Sequence, residues 1–256
     1  VSRTKYQSLL YRVAASWASA LVVVVATPMV PEATAQPTGR CGATAANAQR
    51  WGDPVRDTEF DDWSALADWN VYDAEGHNGN GRRTPTAMSI DNGALTITGD
   101  PAGNSAGMAW LPGSLYGRWE TCLRSPAGSA NYHPVALLWP DSERWPTDGE
   151  IDFMEISDAP RQLVTNTIHH ATLDPWVTYG PENQAAIPID ATQWHSWAVE
   201  WTSDHVSGYV DGKEWFRLTA NIPSTPMHLC IQLDNFGGDI SQGGRIMVDW
   251  AREYRL

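Results

Sequence analysis

Three carboxylates crowd one short run. Glu150, Asp152 and Glu155 lie in Trp145-Pro146-Thr147-Asp148-Gly149-Glu150-Ile151-Asp152-Phe153-Met154-Glu155-Ile156, interleaved with apolar side chains. In a strand, successive side chains point to opposite faces. Glu150 and Asp152 then share one face, and Ile151 and Phe153 the other. Strict alternation would send Glu155 to the apolar face. One extra residue at Phe153-Met154, a β-bulge, returns it to the other acids. Carboxyls that close resist joint ionisation, so at least one is expected to have a raised pKa. A protonated acid beside an ionised one is the pair that glycosidic cleavage requires. The same spacing also describes a solvated acidic strand edge.

The elements that must position these acids read as strands. From Trp51 onward no helical periodicity of any length appears. Short β-rich runs recur between Gly, Pro, Asn and Asp: residues 94–98, 117–123, 197–201 and 247–254 are examples. Gly208-Tyr209-Val210 and Lys213-Glu214-Trp215-Phe216 flank Asp211-Gly212, a hairpin on a two-residue turn. Many short strands with turn signals between them predict an all-β sandwich or jelly roll over residues 51–256. No internal repeat suggests a propeller or solenoid.

The first 50 residues read differently. Arg3, Lys5 and Arg12 precede an apolar run from Val13 to Val25, and Ala33-Thr34-Ala35 fits a cleavage site. Residues 1–35 are therefore expected to be a signal peptide and the protein secreted, with a retained signal anchor as the alternative. Residues 36–50, rich in Gly, Ala, Thr and Asn, read as a flexible linker. The 256-residue chain carries a formal charge of −13, which argues against nucleic acid and suits a neutral or cationic partner. No membrane attachment is expected once the leader is removed. Of Cys41, Cys122 and Cys230, the latter two lie in strand-like runs, so Cys122–Cys230 is the expected disulfide. Three buried free thiols is the alternative. Cys-x-x-Cys spacing is absent, which disfavours zinc.

The run Gly149-Glu150-Ile151-Asp152-Phe153-Met154-Glu155 resembles the signature of glycoside hydrolase family 16, in its bulged Glu-x-Asp-x-x-Glu form. That form is associated with laminarinases (endo-β-1,3-glucanases), agarases and carrageenases. Further resemblances run from about Asp57: Asp57-Thr58-Glu59-Phe60-Asp61, Tyr116-Gly117-Arg118-Trp119-Glu120, Trp194 to Trp201, and Val248-Asp249-Trp250. The resemblance implies a β-jelly roll with a concave cleft and a retaining mechanism. Glu150 would be the nucleophile, Glu155 the acid/base, and Asp152 would tune their protonation. Retention implies carboxyl groups about 5–5.5 Å apart. The expected activity is a secreted endo-β-glucan hydrolase acting on β-1,3 bonds. A galactan hydrolase, a transglycosylase and a non-catalytic carbohydrate-binding module are the alternatives. The expected partner is a polysaccharide and the expected state a monomer, and no redox cofactor or nucleotide is implied.

Sugars present apolar ring faces rimmed by hydroxyls, so a cleft for them needs aromatic platforms and short polar groups. The chain has 14 Trp. Trp145 leads directly into the acid strand; Trp139, Trp110 and Trp176 are further candidates, although Trp is usually core. In Thr167-Ile168-His169-His170 one histidine can face the acids, and the family's Thr-x-His implies His169. The loop Gly76 to Arg83 offers Asn80 and Arg82 where the family binds sugars, although Gly/Asn clusters are also ordinary turn chemistry. Gln232 stands where the family has Asn. Two further departures are Cys122 in place of an Arg, and Tyr132-His133-Pro134-Val135-Ala136-Leu137-Leu138-Trp139 in place of Trp-Pro-Ala-Phe-Trp-Leu-Leu. Some members of the family hold a structural calcium, for which Glu59 and Asp249 are the matching positions.

Overall fold

Strands form where the β-branched and aromatic runs lie, and turns where Gly, Asn and Asp punctuate them. The computed structural model describes residues 40–170 and 183–256. In chain order the strands are β1 (Arg56–Glu59), β2 (Asn70–Val71), β3 (Ala74–Glu75), β4 (Arg82–Arg83), β5 (Met88–Ile90) and β6 (Leu95–Gly99). Next come β7 (Asn104–Ser105), β8 (Gly107–Ala109), β9 (Gly117–Arg124), β10 (Tyr132–Pro140), β11 (Glu150–Glu155) and β12 (Leu163–His169). The last six are β13 (Gln184–Pro188), β14 (His195–Trp201), β15 (Val206–Val210), β16 (Lys213–Leu218), β17 (Met227–Asn235) and β18 (Gly244–Tyr254).

Two antiparallel sheets carry the fold, as the all-β reading requires. One runs β16-β15-β14-β9-β18-β6-β5, with β1 also pairing β18; the other runs β13-β12-β11-β10-β17-β8-β2. Their facing sides share one apolar core. It includes Leu95 and Ile97 of β6, Trp119 and Leu123 of β9, Ile151 and Phe153 of β11, and Leu229, Ile231 and Leu233 of β17. Each fully buried Ile, Leu or Phe contributes about 1.5–3 kcal/mol. A small third sheet, β3-β4-β7, flanks the second large one in sequence. The hairpin at Asp211-Gly212 forms as expected: Val210 pairs Lys213, and both turn residues have positive φ (49° and 76°).

The expectation of a linker over residues 36–50 does not hold where the structure describes it. Residues Ala45–Gln49 form a short helix, α1, with Thr44 at its N-cap and Arg50 in the left-handed conformation after it. The buried carboxylate of Glu120 accepts hydrogen bonds from the Ala45 and Ala46 amides at 2.5 and 3.2 Å. Trp51 packs against Tyr209 and Tyr254. The expected disulfide is also corrected. Cys41 bonds Cys122, and Cys230 is a buried free thiol. Cys122 of β9 faces the arm, whereas Cys230 of β17 lies in the other sheet, with the Tyr72 hydroxyl 3.2 Å from its sulfur. The expected signal peptide lies outside the described residues. Among those residues, no helix is long and apolar enough to cross a membrane.

Candidate active site

The second sheet sorts its side chains by alternation. On β10, Ala136 and Leu138 enter the core, while Val135, Leu137 and Trp139 line a cleft. On β17, Leu229, Ile231 and Leu233 enter the core, while His228, Cys230, Gln232 and Asp234 line the same cleft. On β11, Ile151 and Phe153 face the core. The register then shifts: Asp152 pairs Thr167 of β12, but Glu155 pairs Thr165, so three steps on β11 match two on β12. This is the bulge expected at Phe153-Met154. Met154 joins the core, and Glu150, Asp152 and Glu155 all line the cleft, whose volume is about 840 Å³.

Each acid has a distinct neighbour. Trp145 donates its indole N–H to Glu150 Oε2 at 2.6 Å and remains 45% exposed. Its ring tilts against His169, 5.7 Å away. His169 Nε2 lies 3.0 Å from Asp152 Oδ2 and 3.8 Å from Glu150 Oε2. Among the described residues no donor reaches the buried Asp152 Oδ1, and Asp152 shares a side-chain hydrogen bond with Glu150. Glu155 Oε1 meets His133 Nδ1 at 2.8 Å. Burial pushes Glu150 well above the usual carboxylate range, and the Asp152 charge adds to this. Burial does the same to Asp152, with the Glu155 charge next in size. Two such carboxyls titrate as a pair, and the cluster retains a proton that isolated acids would lose. Polar atoms of Glu150, Asp152 and His169 lie within 4.8 Å of one another. The indole N–H already occupies Glu150 Oε2, one of the oxygens of that group.

The structure sorts the remaining candidates. Gln232 lines the cleft, with its amide N–H directed at Asp234 Oδ2 at 3.3 Å. Trp139 lines it too, donating to Glu143 Oε2 at 2.8 Å. Trp110 is 2% exposed and stacks on Trp69, so it is core. Trp176 lies outside the described residues. Asn80 and Arg82 are not among the cleft's lining residues. Arg82 is exposed and pairs with Asp73 at 2.5 Å, and the Asn80 side chain abuts the backbone at Gly237. Arg83, one residue on, faces the cleft instead and holds Asp234 Oδ1 through Nε and Nη2 at 3.2 and 2.5 Å. Sequence reasoning missed Asp234, Phe236, His77 and His133. The period-2 pattern of β10, which puts His133 on the side of Val135 and Trp139, was the available signal.

Glu59 and Asp249 do not fit a calcium ion. Glu59 Oε1 accepts from Arg252 Nη2 at 2.6 Å. Asp249 accepts the Arg40 amide at 2.7 Å and also pairs with the Arg40 guanidinium. That guanidinium donates to the carbonyls of Asn92 and Gly93 as well. Calcium requires six or more free oxygen ligands. Here a resident arginine already gathers the oxygens around Asp249.

Known proteins resemble the chain in fold and in sequence. The solved laminarinase catalytic domain from Thermotoga maritima MSB8 superposes with a TM-score of 0.67 at 23% identity, over 80% of this chain and 98% of that one. The endo-beta-1,3-glucanase from Pyrococcus furiosus gives 0.66 at 19% identity, over 79% and 94%. These likenesses establish the jelly-roll fold. In sequence, the chain is 30% identical to a Beta-glucanase of Rhodothermus marinus over 165 residues, 55% of this chain and 57% of that protein. It is also 30% identical to Glucan endo-1,3-beta-glucosidase A1 of Niallia circulans over 169 residues, 55% of this chain and 24% of that protein. The chain thus spans only part of the curated relatives it matches. The profile of Glycosyl hydrolases family 16 matches residues 77–252, which include the bulged acid strand and most of both sheets, and the chain belongs to that family.

Proposed function

We propose that the protein is a retaining, endo-acting β-glucan hydrolase that cuts β-1,3 bonds of a neutral glucan. The observation that carries this is the bulge in β11, which brings Glu150, Asp152 and Glu155 to one cleft. In the first step Glu150 attacks the anomeric carbon while Glu155 gives its proton to the departing glycosidic oxygen. In the second, Glu155 takes a proton from water, whose oxygen displaces Glu150 from the anomeric carbon. Trp145 favours an ionised Glu150 through its short N–H bond, and so does the nearby His169. Trp145 is also exposed enough to stack on a sugar face.

The cleft's charge argues for a neutral substrate. Besides the three acids it presents Asp73, Glu143 and Asp234, against Arg83, which Asp234 already neutralises. Arg124 belongs to the other sheet, beside Trp194. A sulfated galactan would meet net repulsion here. Two relatives, a Beta-glucanase and a Glucan endo-1,3-beta-glucosidase, point the same way. The apolar leader and the Cys41–Cys122 disulfide support export to an oxidising compartment, where the protein would act as a monomer.

The test is a reducing-sugar assay on laminarin, mixed-linkage β-glucan, agarose, carrageenan and xyloglucan, with Glu150→Gln alongside. Laminarin should be cut, with the β-anomer released first, and Glu150→Gln should lose activity by about a thousandfold or more. Cleavage of carrageenan alone would overturn the neutral-glucan reading. Binding without cleavage would mark a carbohydrate-binding module.

A further inference from the structure

His133 has no place in the two-carboxylate scheme, yet among the described residues it supplies the only hydrogen bond to the Glu155 side chain, at 2.8 Å. It stands on the same face of β10 as Val135, Leu137 and Trp139, which line the cleft. Its ring is held in turn. Phe236 stacks on it at 3.9 Å and 21°, and also stacks on His77 at 4.2 Å and 25°. Asp234 pairs with His133 across the β10–β17 register, lies 3.8 Å from His77 and is fixed by Arg83. The ionisable groups around His133 are therefore Glu155, Asp234, His77 and Arg83. Three stacked rings anchored at both ends fix the imidazole against Glu155.

We propose that His133 is a positioning residue that acts through Glu155, holding Oε1 so that the other carboxyl oxygen faces the scissile bond. This rests on the acid/base role assigned to Glu155 above. When Glu155 is protonated, its O–H faces the glycosidic oxygen. As the bond from the anomeric carbon to that oxygen breaks, the proton moves to the oxygen and Glu155 is left as a carboxylate. In the tautomer that carries its proton on Nδ1, His133 donates to this carboxylate, and the bond becomes charge-assisted and strengthens as the charge develops. An interaction that is stronger in the transition state than in the ground state accelerates the step.

The test compares kcat/KM on laminarin with kcat/KM on a dinitrophenyl β-1,3-gluco-oligosaccharide, whose leaving group departs without protonation. His133→Phe keeps a ring for Phe236 and removes the donor. His133→Asn places an N–H near the position of Nδ1. His133→Phe should lower kcat/KM on laminarin about ten- to a hundredfold, the range expected for a charge-assisted hydrogen bond. The loss on the activated glycoside should be at least about tenfold smaller, and His133→Asn should recover most of the laminarin activity. Equal losses on both substrates, or no loss on laminarin, would overturn the proposal, and wild-type activity abolished by Glu150→Gln would still leave the hydrolase reading standing. A wild-type protein that cleaves neither substrate would sink both.

Discussion

Replacing Cys41 by Ala tests the corrected disulfide and the docked arm together. The Cys41–Cys122 bond closes a loop with a sequence separation of 81. Loop-closure entropy for that span gives about 4.5 kcal/mol of stabilisation through the unfolded state. For a folded body of roughly 200 residues this corresponds to a fall of about 10 °C in melting temperature. The arm has two other anchors, the Glu120 carboxylate on the α1 amides and the Arg40–Asp249 pair. Both survive the substitution, so the native arm should stay in place while the whole fold loses stability. Urea unfolding under non-reducing conditions would measure this, with Cys230→Ala as the control. In this structure Cys230→Ala removes only a buried sulfur and its contact with Tyr72, at a cost of about 1 kcal/mol. If Cys230→Ala cost as much as predicted for Cys41→Ala while Cys41→Ala cost nothing, Cys122 would pair with Cys230 and the reasoning would be refuted. Peptide mapping without reduction would show the same thing directly.

Three other perturbations follow from the site and the core. Burial raises Asp152, so the folded state binds more protons than the unfolded one above the ordinary carboxyl range; that stability is full below the range and is lost as pH rises toward the folded value. Asp152→Asn should therefore melt higher than wild type near neutral pH and match it near about pH 3.5, in paired melting curves. Arg161 is fully buried and donates to the carbonyls of Asp158, Ser129 and Tyr132; Arg161→Met should cost about 3 kcal/mol or more in urea unfolding by stranding them. Trp145→Phe removes the N–H on Glu150 but keeps a ring, so on laminarin kcat should fall about tenfold with little change in KM, whereas Trp145→Ala should raise KM as well.

The acid strand was legible because its pattern over-determines it. Ile151 and Phe153 can only face a core, and three acids cannot join them there, so the bulge is the solution that satisfies both. Asp211-Gly212 was legible for a similar local reason. The arm was not. Nothing in its Ala, Thr and Asn residues demands a helix; the amides of α1 are satisfied by Glu120, which lies in a distant strand run. A carboxylate in the middle of β9 gave no sign that it would be buried. Arg82 and Arg83 differ by one step of alternation in a two-residue strand, too short for a pattern to show which faces the cleft. His133 was hidden because its partner is defined by register between β10 and β11, and a bulge sets that register.

Strand β18 follows every other described strand in the chain, yet it lies inside its sheet, between β9 and β6, with β1 also pairing it. Neither flank of that sheet is complete without it. During synthesis, β9 and β6 therefore emerge with open edges and must wait for residues made more than a hundred positions later. Long-range pairing of this kind is slow and leaves the growing chain exposed to aggregation. It also leaves this sheet incomplete for as long as β18 is missing. On the export proposed above, the order of the strands would itself delay premature folding.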